Sequence, residues 1–269
     1  MKIGVVGAAG RMGGMIIQEI LIHSDECALS GATAKPGSFA VGHDIGTVAG
    51  IDPIGIEMGD DPEFIFRESD IVIDFTTPEA TVHHAELAGK YKKGLVIGTT
   101  GLTKEQEDEI KNASDKAPIV YAANMSIGVN ILIAAVEDFA RRLNQEEFDI
   151  EIHEAHHKNK VDAPSGTALA LGKAAASGRK VNLDDVAVYN RHGKNEARKD
   201  GEIGFSVTRA GDIIGEHTVT FAGICEQIEL SHKASDRSLF AKGAVKAALW
   251  LKDKPKGKRL YSMQDVLGL

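Results

Sequence analysis

Cysteine is nearly absent from the chain. Cys27 and Cys225 are the only two in 269 residues, far apart and outside any metal-ligand spacing, which removes a disulfide framework and a thiolate metal site. Both fit buried or incidental positions in a reducing compartment. No apolar run approaches the ~20 residues that span a bilayer. Met1-Lys2-Ile3-Gly4 leads straight into a strand-like segment instead of a secretory leader, so a cytoplasmic protein without membrane association is expected. An excess of positive charge is lacking too. With 31 Lys and Arg against 39 Asp and Glu the formal net charge is −8, which gives a phosphate backbone no general attraction and argues against nucleic acid as a partner. Internal repeats and low-complexity stretches are missing. What remains is a globular composition, 43% hydrophobic and 26% charged, long enough for one large domain or two ordinary ones.

The first half alternates short apolar runs with helical patterns, the signature of a parallel sheet flanked by helices. Ile3-Gly4-Val5-Val6 ends at Gly7, and Met12, Met15, Ile16 and Ile20 then recur at helical spacing, so strand, glycine turn and helix are expected in that order. Asp70-Ile71-Val72-Ile73-Asp74-Phe75 predicts a buried strand. In Thr77-Pro78-Glu79, Thr caps, Pro fits the first helical position and Glu meets the helix dipole; the helix it opens is expected to reach Gly94. Leu95-Val96-Ile97-Gly98 repeats the strand, Thr103-Lys104-Glu105-Gln106 reads as a capping box, and Ile119-Val120-Tyr121-Ala122 supplies another strand.

The pattern changes after about residue 125. Val129, Leu132, Ile133, Val136, Phe139 and Leu143 form one helical stripe, after which Phe148, Ile150 and Ile152 alternate with Asp149 and Glu151 as in a strand. Residues 203–232 are strand-rich, with Phe205-Ser206-Val207-Thr208 and Thr218-Val219-Thr220-Phe221 set apart by Gly211-Asp212. Lys194 to Gly201 reads as a solvated loop. Phe240, Ala241, Ala244, Val245, Ala248 and Leu249 predict a helix stopped by Pro255, whose alanines let it lie close against the first domain. The expected fold is α/β: an N-terminal Rossmann-type doubly wound parallel sheet, residues 1–125 completed by 238–269, and an α+β second domain, 126–237, with a mixed or antiparallel sheet.

Gly7-Ala8-Ala9-Gly10-Arg11-Met12-Gly13 falls where a dinucleotide pyrophosphate needs close backbone approach and free helical N–H groups. Its spacing, G-x-x-G-x-x-G, is a variant of the usual fingerprint, and glycines also occupy such turns for packing alone. No carboxylate for a ribose 2′-hydroxyl follows the second strand: Ala28-Leu29-Ser30-Gly31-Ala32-Thr33 leads to Ala34 and Lys35. A cation there, with Arg11 nearby in the turn, favours a 2′-phosphate and hence NADPH, unless Lys35 is simply a solvated lysine.

The densest constellation runs His153-Glu154-Ala155-His156-His157-Lys158-Asn159-Lys160-Val161-Asp162-Ala163-Pro164-Ser165-Gly166-Thr167. Its start matches H-E-x-x-H in form, but it continues the strand alternation of Ile150 and Ile152. Four strand residues span roughly 13 Å, too far for one zinc, so no metal is expected. Two imidazoles and the ammonium groups of Lys158 and Lys160 crowd beside a loop instead; their mutual repulsion suits an anion site or proton donation, though a solvated charge run would carry the same residues. Asp162-Ala163-Pro164 then breaks regular structure, Ser165 can cap, and Thr167, Ala168, Leu169 and Leu171 begin a helix, which leaves free N–H groups at Gly166 and Thr167 for a carboxylate. A small dicarboxylate held between these two elements would be oriented at both ends, as hydride transfer requires.

From end to end the chain resembles the dihydrodipicolinate reductases, also called 4-hydroxy-tetrahydrodipicolinate reductases. The most specific segment is Glu154 to Ala168, supported by Gly7 to Gly13, Asp74-Phe75-Thr76, Gly98-Thr99-Thr100-Gly101 and Ala122-Ala123-Asn124-Met125. The resemblance implies that Gly7, Ala8, Ala9, Gly10, Arg11 and Met12 bind pyrophosphate, while Gly98, Thr99, Thr100, Ala122, Ala123, Asn124 and Met125 surround the nicotinamide ribose and ring. It implies His156 and Lys160 as proton-donor positions and His157, Gly166 and Thr167 as substrate contacts. The implied reaction is NAD(P)H-dependent reduction of 4-hydroxy-tetrahydrodipicolinate to tetrahydrodipicolinate with loss of water, in diaminopimelate and lysine biosynthesis, by a homotetramer joined through the sheets of its second domain. Two departures stand out: the family often has an acidic–basic pair where Ala34-Lys35 keeps only the basic member, and some members carry an aromatic residue at the position of Met125. Another nucleotide-dependent dehydrogenase or a dinucleotide-sensing regulator would share the glycine turn. The His-rich, Ser-Gly-Thr segment argues against the first, and the acidic charge without a visible helix-turn-helix against the second.

Overall fold

Lys2–Val6 is apolar from Ile3 onward and forms a buried strand that stops at Gly7, whose left-handed φ of 69° turns the chain. In the computed structural model, which describes residues 1–193, 196–254 and 260–269, the elements follow as β1 (Lys2–Val6), α1 (Gly13–Ile22), β2 (Ala28–Thr33), α2 (Ile45–Val48), α3 (Pro62–Glu68), β3 (Ile71–Asp74), α4 (Pro78–Tyr91), β4 (Gly94–Ile97), α5 (Lys104–Ser114) and β5 (Ile119–Tyr121). Then come α6 (Ile127–Arg142), β6 (Asp149–His156), α7 (Gly166–Arg179), α8 (Leu183–Val186), β7 (Ala187–Val188), β8 (Ile203–Arg209), β9 (Glu216–Ala222), β10 (Gln227–Lys233), α9 (Ser238–Leu251), β11 (Leu260–Tyr261) and α10 (Met263–Leu267). The chain divides into two units, Met1–Ile127 with Arg237–Leu269, and Gly128–Asp236.

In the first unit six parallel strands pair in the order β11-β5-β4-β3-β1-β2. Alternate residues of β1, β3, β4 and β5 enter two cores. Ile3, Val5, Ile73, Val96 and Val120 pack with α1 and α9, whereas Val6, Val72, Leu95, Ile97 and Ile119 pack with α3, α4 and α5. Burial on both faces explains why β3 and β4 read as continuous apolar runs. The winding reverses between β1 and β3, the switch point at which an open sheet leaves a crevice beyond its strand C-termini. Thr77 caps α4 with Pro78 in its first turn, and Thr103 with Gln106 forms the capping box of α5. The helix expected to reach Gly94 ends earlier, at Tyr91, because Lys92 adopts a left-handed φ of 55° and closes it before β4. The alanine-rich helix is α9, packed on this sheet; Pro255, its expected stop, and Lys194 and Asn195 of the expected solvated loop lie outside the described residues.

In the second unit the strand order is β10-β9-β6-β8-β7, with β6–β8 and β7–β8 parallel and β6–β9 and β9–β10 antiparallel, a mixed sheet. One phase of the alternation, Ile150, Ile152, Ile203, Phe205, Val219 and Phe221, packs under α6 and α7. The other phase is largely polar and only partly covered: His153 Nδ1 lies 3.0 Å from Ser206 Oγ, and Thr218 and Ser231 hydroxyls meet at 2.8 Å. Among the described residues no helix is long and apolar enough to cross a membrane, and both cysteines are free, Cys27 buried and Cys225 exposed.

Candidate active site

The glycine turn of the first unit is shaped by close approach. A Cβ on Gly7 would overlap the Thr76 side chain, and one on Gly13 the Ala8 backbone. The turn is closed by Ala8 N–H to Thr33 O at 2.7 Å, Gly10 N–H to Gly7 O at 3.0 Å and Gly13 N–H to Gly10 O at 3.1 Å. No side chain caps α1, and its first turn holds no acidic residue, so beyond the Gly13 N–H, which bonds within the turn, the positive end of its dipole is left for an anion. Ala9, Gly10 and Arg11 are exposed at this point, with Met12 half-buried at the helix N-cap. These features fit the diphosphate of a dinucleotide. Lys35 lies exposed just beyond β2.

The other strands contribute to the same end of the sheet. Asp74, fully buried, accepts from the Thr76 amide at 2.8 Å, the Thr76 hydroxyl at 2.6 Å and His84 Nδ1 at 2.9 Å, while the Thr81 hydroxyl donates to Thr99 Oγ1 at 2.8 Å. This network pins the turn after β3 to Thr99 after β4 and to α4; nothing in the local sequence marks Thr81 or His84 as its members. Gly98 has Phe75 where a Cβ would be, Thr99 is buried and Thr100 exposed. After β5 come Ala122, Ala123 and Asn124, whose side chain accepts from the Ser126 amide at 2.9 Å, and then buried Met125. Gly243 of α9 approaches the Met125 carbonyl so closely that no Cβ would fit, a constraint placed far along the chain from the segment it supports.

The site in the second unit is built on β6. Because this segment is a strand, His153 and His156 point to opposite faces, the first exposed and the second buried, and the helical premise of H-E-x-x-H fails. His156 Nδ1 lies 2.6 Å from Glu154 Oε2, and Arg209 grips the same carboxylate with two bonds of 2.8 Å. Lys160 Nζ pairs with Asp162 at 2.8 Å. The strip is therefore less purely cationic than its sequence suggests, since two carboxylates neutralise it from within. His157 is half-buried, Lys158 exposed, and the Lys158 amide donates to Gly211 O at 3.2 Å. Ser165 caps α7, with the Ala168 amide donating to its hydroxyl at 3.1 Å; Gly166, exposed with open space around it, and half-buried Thr167 begin the helix. No acidic residue occupies its first turn.

Electrostatics here follow from burial. Desolvation pushes His156 below the ordinary imidazole value despite the opposing pull of Glu154. Burial alone would raise the Glu154 carboxyl, but hydrogen bonds from Arg209, His156 and the Ser165 amide outweigh it and hold the group low. His217 on β9, buried and edge-on to His156 at 5.2 Å between ring centroids, is driven down to about 4 by desolvation and then by His156; its Nε2 lies 3.1 Å from Ser165 Oγ. Arg209 and His217 are absent from the motif-based expectation. The signal that would have found them is phase: each falls on the apolar face of its strand's alternation, as does Glu154.

A family model described as dihydrodipicolinate reductase, N-terminus, matches residues 1–125, and one described as dihydrodipicolinate reductase, C-terminus, matches residues 128–267. The chain belongs to the dihydrodipicolinate reductase family. It is 52% identical over 270 residues to a 4-hydroxy-tetrahydrodipicolinate reductase from Rhizobium rhizogenes, covering 100% of this chain and 97% of the relative. It is 49% identical over 269 residues to one from Burkholderia vietnamiensis, covering 100% of both. Among solved structures, a dipicolinate-bound dihydrodipicolinate reductase from Paenisporosarcina sp. TG-14 superposes with a TM-score of 0.76 over 98% of each chain at 22% identity, a likeness of fold. Membership of this family makes the chain an oxidoreductase of lysine and diaminopimelate biosynthesis that works with a pyridine nucleotide.

Proposed function

We propose that the chain reduces 4-hydroxy-tetrahydrodipicolinate to tetrahydrodipicolinate with loss of water, with NADPH as the preferred and NADH as the alternative hydride source. The observation that carries this reading is the grouping of His156 and Lys160 with the anion-ready start of α7 at Gly166. Gly166 and Thr167 N–H groups receive one substrate carboxylate, and His157 helps to hold the other. Departure of the ring hydroxyl as water leaves a double bond conjugated with the ring C=N. A hydride added there leaves electron density that needs a proton, which His156 or Lys160 supplies while the other steadies charge. One hydride and one proton are taken up, and one water is released. That a relative holds dipicolinate supports a small dicarboxylate as the substrate class.

In the first unit Gly7, Ala8, Ala9, Gly10, Arg11 and Met12 hold the pyrophosphate, and Gly98, Thr99, Thr100, Ala122, Ala123, Asn124 and Met125 border the nicotinamide and its ribose. The bound nucleotide supplies the hydride. Lys35 and Arg11, both exposed, attract a 2′-phosphate. Further parts of the proposal are a homotetramer, joined through the largely polar face of the second sheet, and a cytoplasmic setting, in keeping with two free thiols.

The test is NADPH oxidation in an assay that generates the unstable substrate from pyruvate and aspartate semialdehyde. Turnover there and none with simple aldehydes is expected; the opposite pattern would mean a different dehydrogenase. Titration of both nucleotides checks the preference, and Lys35→Ala should narrow the gap between NADPH and NADH. Sedimentation in solution reads the assembly.

A further inference from the structure

Three charged or ionisable side chains occupy the apolar phase of neighbouring strands in the second unit. Glu154 follows Ile150 and Ile152 on β6, Arg209 follows Ile203 and Phe205 on β8, and His217 precedes Val219 and Phe221 on β9. Such groups are costly to bury unless they are fully bonded. Glu154, 1% exposed, meets that condition: Oε2 accepts from Arg209 Nη1 at 2.8 Å and His156 Nδ1 at 2.6 Å, and Oε1 from Arg209 Nη2 at 2.8 Å and the Ser165 amide at 2.9 Å. Arg209 reaches further, donating to the Asp162 carbonyl at 2.6 Å and the Lys160 carbonyl at 3.3 Å. One carboxylate thus holds both the imidazole of His156 and the cap of α7, and the arginine on that carboxylate holds the backbone of the loop that carries Lys160.

We infer that Glu154 and Arg209 are positioning residues that set His156, Lys160 and the start of α7 as one unit, with Glu154 selecting the imidazole tautomer. The inference rests on the roles proposed above for His156 and Lys160. With both oxygens engaged, Glu154 has no lone pair turned to a substrate; it acts through its neighbours. By accepting from Nδ1 it leaves Nε2 of His156 as the atom that gains and loses the transferred proton. Gly215 keeps room at that atom, because a Cβ there would stand 3.1 Å from Nε2. The charged or titratable groups facing His156 are Glu154 on its own strand, Lys160 in the following loop, Arg209 on β8 and His217 on β9. Of these only Glu154 favours the protonated ring.

The first test needs no variant. Selective 15N-histidine labelling of the unaltered protein, with His156 assigned by His156→Asn, should show neutral His156 as the Nδ1–H tautomer; an Nε2–H tautomer overturns the inference. The second is kinetic. Glu154→Gln should lower kcat by about a hundredfold, leave KM for the dicarboxylate within about threefold, and move the pH–rate limb that needs protonated His156 to lower pH. Arg209→Lys, which keeps the charge but loses the two-pronged grip, should lower kcat and raise KM together, because the loop that carries Lys160 loses its anchor and the Glu154 carboxylate that holds the cap of α7 is no longer fixed in place. NADPH affinity should be unchanged in both. A Glu154→Gln protein with unaltered turnover and pH limb overturns the inference. An unaltered protein that does not reduce the substrate would instead contradict the proposed function, and the tautomer measurement still decides the positioning.

Discussion

Phe75 packs against the bare Cα of Gly98 so closely that a Cβ on the glycine would overlap the aromatic ring. The two residues immediately follow β3 and β4, so their contact sets the spacing of two turns at the crevice end of the sheet. Gly98→Ala must therefore displace Phe75. A loss of about 1–3 kcal/mol in urea unfolding is expected from such overpacking, together with NADPH binding weakened by roughly tenfold, about 1.4 kcal/mol. Unchanged nucleotide affinity would show that this approach serves packing alone.

Lys160 sits 2.8 Å from Asp162 and only partly exposed, an ammonium held in place instead of swinging freely. Lys160→Ala should lower kcat by about a hundredfold or more with a small change in KM, the pattern of a group that acts in the transition state. Steady-state kinetics with NADPH read the outcome. Weaker substrate binding at unchanged turnover would move Lys160 to a binding role and leave proton donation to His156.

Ser165 has two duties: its hydroxyl caps α7 and meets His217. Ser165→Ala should cost about 0.5–2 kcal/mol from the lost cap, with a matching fall in affinity for dipicolinate as an inert dicarboxylate probe. Calorimetric titration and thermal unfolding measured on one preparation would link the two losses. Full affinity in a destabilised variant would separate cap from anion site.

Acid should destabilise the second unit in a defined window. His217 is held at about 4 by burial, with His156 adding to it, against about 6.5 in an unfolded chain. Between these values the unfolded state binds the extra proton, so stability is full above about pH 6.5 and declines as pH falls towards 4. The effect is on the order of 3 kcal/mol. Glu154 acts in the same sense at lower pH: its depressed folded value gives stability that is present above the ordinary carboxylate range and lost as pH falls through that depressed value. Unfolding free energies at pH 7 and pH 5 check the sign, and His217→Gln should flatten the slope between pH 6.5 and 4.

Much of this protein was legible because its signals are local. The caps at Thr77, Thr103 and Ser165 each involve residues three positions apart, and all three start the helices expected of them. The alternation at Ile150 and Ile152 correctly placed His153 and His156 on a strand and removed the apparent zinc motif. The short helices α2 and α3 and the two-residue strands β7 and β11 escaped, since segments so brief hold too few residues to show a period. The charge balance of the strip was misjudged for another reason. Spacing shows which cations lie close in the chain but not which carboxylates fold back onto them, as Asp162 does onto Lys160.

By itself the sequence determined the parallel first sheet, the glycine turn at its first strand and the capped helix beginning at Gly166, because periodicity and capping act over a few residues. Only the tertiary structure decided which side chains complete the site. Arg209 reaches Glu154 across 55 positions, and Thr81 and His84 join Thr99 and Asp74 in one buried network. Those partnerships depend on strand order and register, which are set by the whole buried surface of a sheet and are written in no single stretch of chain.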